Sequence, residues 1–111
     1  MITDNQLAEV SRTRLAAQID KRTAGKAMLD TAIEGLSFYR QNEAASSCSL
    51  CVVEPSIAMV VQGMKSMTLG DDTFQYDKNR FLITSLDLPA RMQVLEANKE
   101  TPYLGLVIKF D

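Results

Sequence analysis

The stretch that decides the fold is "PSIAMVVQGMKSMTLGDDTFQYD", Pro55 to Asp77. It predicts a buried strand over 57–62, a break at Gly63, a second strand over 65–69, a tight reversal at Gly70-Asp71-Asp72 and a third strand over 73–76. Glycine reaches positive φ without a Cβ clash, and aspartate bonds its own turn backbone. Their meeting between two apolar runs is hairpin chemistry. The expectation is a β meander. Its residue types are not those of a catalytic triad, a phosphate loop or a metal cage.

Outward from the meander the period stays near two. "RFLITSL" (80–86) is almost wholly apolar or β-branched, and Pro89 after it cannot donate to a ladder, so it reads as the close of that strand. "RMQVLEA" (91–97) alternates, with Met92, Val94 and Glu96 on one face. Residues 98–102 read as a turn, and "YLGLVIKF" (103–110) is the last strand, with Leu104, Leu106, Ile108 and Phe110 on one side and Gly105 marking a bend or a close approach. Upstream, "MLDTAI" and "LSFYR" read as two short edge strands, and 41–49, "QNEAASSCS", as a polar loop without periodicity. Thr3 with Gln6 fits a capping box, and Leu7, Val10, Leu15, Ala17 and Ile19 form an apolar arc opposed by Glu9, Arg12, Arg14, Asp20 and Lys21. A helix therefore opens the chain and ends near 22–25. The organisation expected is a helix within residues 1–26 packing on a mainly β unit over 27–111, an antiparallel sandwich or barrel of about six to eight strands.

The totals exclude whole classes of function. With 111 residues there is room for one domain. Net charge is -2 and the sequence pI near 5.1, the wrong sign for a surface that tracks phosphates. There is no histidine, which removes His-based general base catalysis, Ser-His and Cys-His nucleophiles and His-ligated metals. The longest apolar run, 57–61, is far short of the roughly 20 residues that cross a bilayer, and no secretory signal is legible, so the expectation is a cytoplasmic protein without a membrane contact. Cys48 and Cys51 form a C-x-x-C. Zinc needs four soft ligands and the chain supplies half of them, whereas a redox pair normally sits at a helix N-terminus. Structural cysteines are the preferred reading, with a thiol redox sensor as the alternative.

"EPSIAMVVQGMKSMTLGDDTFQYDKNRFLITSLDLP" followed by "LEANKETPYLGLVIKFD" resembles the amino-terminal domain of AraC-type transcriptional regulators. The residues that carry the resemblance are Glu54, Pro55, Gln62, Gly63, Lys65, Gly70, Tyr76, Asp77, Asp87, Pro89, Glu96, Ala97, Pro102 and Tyr103. The resemblance implies a cupin-like barrel of the double-stranded β-helix type that senses a small effector or mediates homodimerisation, without catalysis and without a cofactor. It also implies that DNA is bound by a following pair of helix-turn-helix motifs, which these residues do not contain. The competing expectation is a free-standing small-molecule-binding or catalytic cupin, but the metal-dependent enzymes of that fold look to histidines.

For an effector cavity the candidate residues are Phe38, Met59, Val61, Ile83, Met92 and Val94, with Arg40 or Glu96 as polar anchor; core filling is the competing role for all of them. Alternation establishes parity along each strand and not which parity points inside. The motif residues Pro55, Gln62, Gly63, Lys65, Gly70, Tyr76, Asp77, Pro89 and Pro102 read as mainly architectural, with a Lys65 to Asp77 pair within reach across the meander.

Overall fold

The computed structural model describes the backbone of residues 3–78, 80–85 and 87–110, and within these the side chains of all but residues 4, 5, 45–51 and 88. The end of the "RFLITSL" run at Leu86, the Asn79 of the turn before it and Asp111 lie outside the described residues.

The chain opens with α1 (Asp4–Arg22). Its capping box is complete: the Thr3 hydroxyl accepts the Gln6 amide at 3.1 Å and the Gln6 side chain accepts the Thr3 amide at 2.9 Å. The helix stops at Thr23, whose buried hydroxyl donates to the Ile19 carbonyl at 2.6 Å, and Gly25 follows at φ 74°. The apolar arc is wider than the stripe that packs. Leu15, Ala16 and Ile19 meet the body, while Leu7 and Val10 stay exposed. Asp20, on the face expected to be turned away, instead meets Arg40.

Nine strands follow among the described residues: β1 (Met28–Asp30), β2 (Leu36–Gln41), β3 (Ala45–Val53), β4 (Ser56–Gln62), β5 (Met64–Leu69), β6 (Asp72–Asp77), β7 (Phe81–Thr84), β8 (Leu88–Glu96) and β9 (Tyr103–Lys109). All pairings are antiparallel. They build a five-stranded sheet in the order β1-β2-β9-β4-β7 and a four-stranded sheet in the order β3-β8-β5-β6. The mainly β antiparallel architecture with a leading helix is the one expected, with four local corrections.

The meander is broken at Gly63. The strands β5 and β6 form a hairpin around Gly70-Asp71, with Gly70 at φ 60°, but β4 belongs to the other sheet. At φ 91° Gly63 takes the corner, and a Cβ there would stand 2.6 Å from the Glu96 carbonyl oxygen, so no other residue fits without displacing backbone. The expected polar loop is a strand from Ala45 on. Its pairing with β8 slips between Ser46 and Cys48 and again between Cys48 and Cys51, and each irregularity erases the alternation that would have marked it. Pro89 opens β8 rather than closing the strand before it, pairing with Val52 near the start of the ladder. Only β1 is an edge strand of its pair, because β2 lies between β1 and β9.

Burial is arranged in two layers. Between the sheets lie Val60, Met67, Tyr76, Ala90, Val94 and Tyr103. On the far side of the five-stranded sheet, α1 covers Phe38, Val61, Leu104 and Leu106 with Ile19. Strands β2, β4 and β9 feed both layers, so Tyr103 to Leu106 is buried without interruption. Gly105 makes the close approach expected of it: a Cβ would stand 2.6 Å from the Tyr103 hydroxyl oxygen and 3.1 Å from the Met59 carbonyl oxygen.

Candidate functional site

Between the sheets the core opens into a cavity of about 370 Å³. Its apolar wall is Ala58, Leu82, Met92 and Val107, and three tyrosines line it, Tyr39, Tyr76 and Tyr103. Lys65 joins them because of register. It pairs with Tyr76 on β6 and with Val94 on β8, so it stands on the inner face of its sheet beside buried residues. Its ammonium lies 5.5 Å from the centre of the Tyr103 ring, within the range of a cation–π contact. Toward solvent the cavity is flanked by Glu54 and Lys109, paired at 3.4 Å and each about half exposed.

Burial pushes the Tyr76 phenol up to about 12 and carries Tyr103 further in the same direction, with the neighbouring phenols of Tyr76 and Tyr39 adding to the latter. Both are neutral at physiological pH and can donate. The arrangement can hold and orient a small molecule. Among the described residues no nucleophile stands beside a general base here, and no three acidic or cysteine side chains are grouped as metal ligands.

A second recess, about 540 Å³, separates α1 from the ends of β4, β5 and β8. Its walls carry Glu9, Arg12, Asp20, Asp77, Lys78, Glu96 and Glu100 over a floor that includes Val61 and Leu104. Several of these charges serve each other: Glu9 pairs with Arg12, and with Lys78 at 3.3 Å. A bulge between Val60 and Gln62 sets Gln62 opposite Leu104, on the α1 side, where its amide donates to the Pro102 carbonyl at 2.8 Å.

The residues singled out from sequence are dispersed over these features. Met92 lines the inter-sheet cavity and Val94 is fully buried in the same layer. Phe38 and Val61 lie under α1, and Arg40 bonds the carboxylate and carbonyl of Asp20 and the Asn42 side chain. Glu96 lines the recess beside α1, while Met59 and Ile83 are exposed on the outer face of the five-stranded sheet. Among the motif residues, Gln62, Gly63 and Gly70 shape bends, the Pro55 carbonyl accepts the Phe110 amide at 3.0 Å, and Asp77 closes a backbone turn with Arg80 at 3.0 Å. Lys65 and Tyr76 are cavity residues as well. The backbones of Cys48 and Cys51 sit in β3 opposite Met92 and Ala90, and their side chains lie outside the described residues. Tyr39, Leu82, Tyr103 and Val107 were missed. The signal available for them was the other parity of each strand, the one that carries every tyrosine of the chain.

Two antiparallel sheets closing over a lined cavity define a cupin-type domain, and similarity to solved structures agrees. A cupin superfamily protein from Desulfitobacterium hafniense superposes with a TM-score of 0.58 at 12% identity, covering 76% of this chain and 76% of that one. The cupin domain of Cnp3 from Schizosaccharomyces pombe gives a TM-score of 0.53 at 17% identity, over 77% of this chain and 59% of that one. No curated protein matches the chain. The family model for the AraC-type transcriptional regulator N-terminus matches residues 32–111, and the chain belongs to that family.

Proposed function

We propose that this domain senses a small effector for a DNA-binding regulator, that it does so without catalysis, and that the effector occupies the cavity between the sheets. The observation that carries the reading is a lysine and three tyrosines set on the inner walls of a cupin-type domain whose family is regulatory. In this reading residues 1–26 brace the sensor unit of 27–111, and DNA is contacted through helix-turn-helix motifs in a separate, carboxy-terminal segment of the regulator, in the cytoplasm. Among the described residues no helix is long and apolar enough to cross a membrane. A thermal-shift screen of the chain over small aliphatic, aromatic and aldehyde compounds tests the reading; a screen without a stabilising compound would remove it, and so would hits indifferent to altering Lys65 and Tyr103. Chelation with EDTA should leave the melting temperature unchanged.

A homodimer is favoured by a specific surface. Met59, Phe81, Ile83, Ile108 and Phe110 are exposed on one face of the five-stranded sheet, beyond the part that α1 covers. Ile57 joins Ile83 to Ile108 across three adjacent strands. Sedimentation velocity should find a dimer that Phe81→Ser weakens, and a strictly monomeric chain would remove the dimer from the proposal.

A further inference from the structure

The inner face of a sandwich is where a lysine is least expected, because desolvating an ammonium is costly unless an anion or a π-face compensates. Lys65 nevertheless stands there, opposite Tyr76 and Val94, with its ammonium at the Tyr103 ring. Among the described residues the charged ones that line the cavity are Glu54, Lys65 and Lys109, one negative and two positive, a net +1 inside a chain of net -2. Glu54 pairs with Lys109 at the solvent side, and the Lys65 ammonium is the charge set deeper, over the Tyr103 ring.

We infer that the molecule held here is a small organic anion, a carboxylate on an apolar aliphatic or aromatic body, with Lys65 as its counter-charge and the tyrosine hydroxyls as donors to it. The inference rests on reading the cavity as the effector site and names the class of effector. Donors dominate the wall. Lys65, Tyr39, Tyr76 and Tyr103 each carry one, and among the described lining residues there is no Asn, Gln or Asp. A sugar would need those paired donors and acceptors around its hydroxyls, and a cationic ligand would meet the Lys65 ammonium. A carboxylate matches: charge-assisted hydrogen bonds from an ammonium and neutral phenols are the strong kind, and the low dielectric of the cavity strengthens them. Burial holds Tyr76 and Tyr103 protonated, so their donors persist across the physiological range. The remaining wall, Ala58, Leu82, Met92 and Val107, suits an apolar body, and a volume of about 370 Å³ lies at the small end of ligand sites.

The test uses probes matched in their apolar bodies that differ in the charge of the head group: hexanoate, hexanamide and hexylamine, and benzoate, benzamide and benzylamine, against the 111-residue chain at neutral pH by thermal shift and calorimetry. The acids should bind about tenfold or more tightly than the amides, and the amines should not bind. Lys65→Met should abolish the preference, bringing acids and amides to one level, and Lys65→Arg should keep it; a loss of fold would instead lower all probes together. Amides or amines that equal the acids on the unaltered chain would overturn the inference yet leave the effector cavity standing. Silence from every acid overturns it too, and neutral aldehydes and polyols then decide the effector reading separately. An acid preference that survives Lys65→Met would overturn the assignment of Lys65.

Discussion

The recess beside α1 and the cavity between the sheets lie close together, separated by β4 and β9, and they differ in nearly every respect that matters for binding. The recess is the larger, about 540 against 370 Å³. Its charges come from many directions and several are satisfied by one another, Glu9 by Arg12 and Lys78, while Asp20 is engaged by Arg40. The cavity sets the Lys65 ammonium and three phenols among apolar walls, with the Glu54–Lys109 pair toward solvent. Size alone would favour the recess, and the proposed function favours the cavity. A charged recess whose ion pairs are already made, in contact with water, gains little from a ligand, whereas partly desolvated donors gain a great deal.

Three measurements break or sharpen that contrast. The largest effect is expected from Ile19→Ala, which empties a fully buried position under α1 and should cost about 2–5 kcal/mol in denaturant unfolding. Because Ile19 belongs to the α1 layer, ligand binding between the sheets should persist as long as the chain is folded; loss of binding in folded Ile19→Ala would show that the two layers are one site. The next effect comes from alkaline pH. Tyr76 is raised from the ordinary 10.0 to about 12 by burial, so the folded state holds its proton more tightly than the unfolded state. The stabilisation is fully present below pH 10.0 and is lost as pH rises through about 12, by about 3 kcal/mol. Tyr76→Phe should flatten that decline, and a decline of equal depth in the variant would remove Tyr76 as its cause. Smallest is Glu9→Gln at the recess, where two exposed ion pairs disappear at a cost of under about 1 kcal/mol. A larger loss there would make the recess more than a solvated seam.

What the sequence made legible follows from how many faces of each strand are covered. In β8 one face is buried, so Met92 and Val94 alternate with Arg91 and Gln93, and the parity named for the cavity is the one the fold turns inward. In β4 and β9 both faces are buried, one by the opposite sheet and one by α1, and adjacent pairs such as Val60 with Val61 and Tyr103 with Leu104 are apolar alike. No alternation survives to say which side holds the cavity. The hairpin at Gly70 and the capping box at Thr3 depend on neighbours in sequence and were plain. Gly63 was legible as a break but not as a corner between sheets, because the atom that demands it, the Glu96 carbonyl, is distant in the chain. Lys65 was read as architecture, since lysine by default faces water. Only its register with Tyr76 and Val94 turns it inward.

The chain has no tryptophan and three tyrosines, and all three line the cavity. Its near-ultraviolet absorption and emission are therefore, apart from the weak bands of phenylalanine, a signal from the cavity wall alone. A colourless ligand entering between the sheets would write itself into the tyrosine dichroism of the unlabelled protein, and one settling in the recess beside α1 would leave that spectrum as it was.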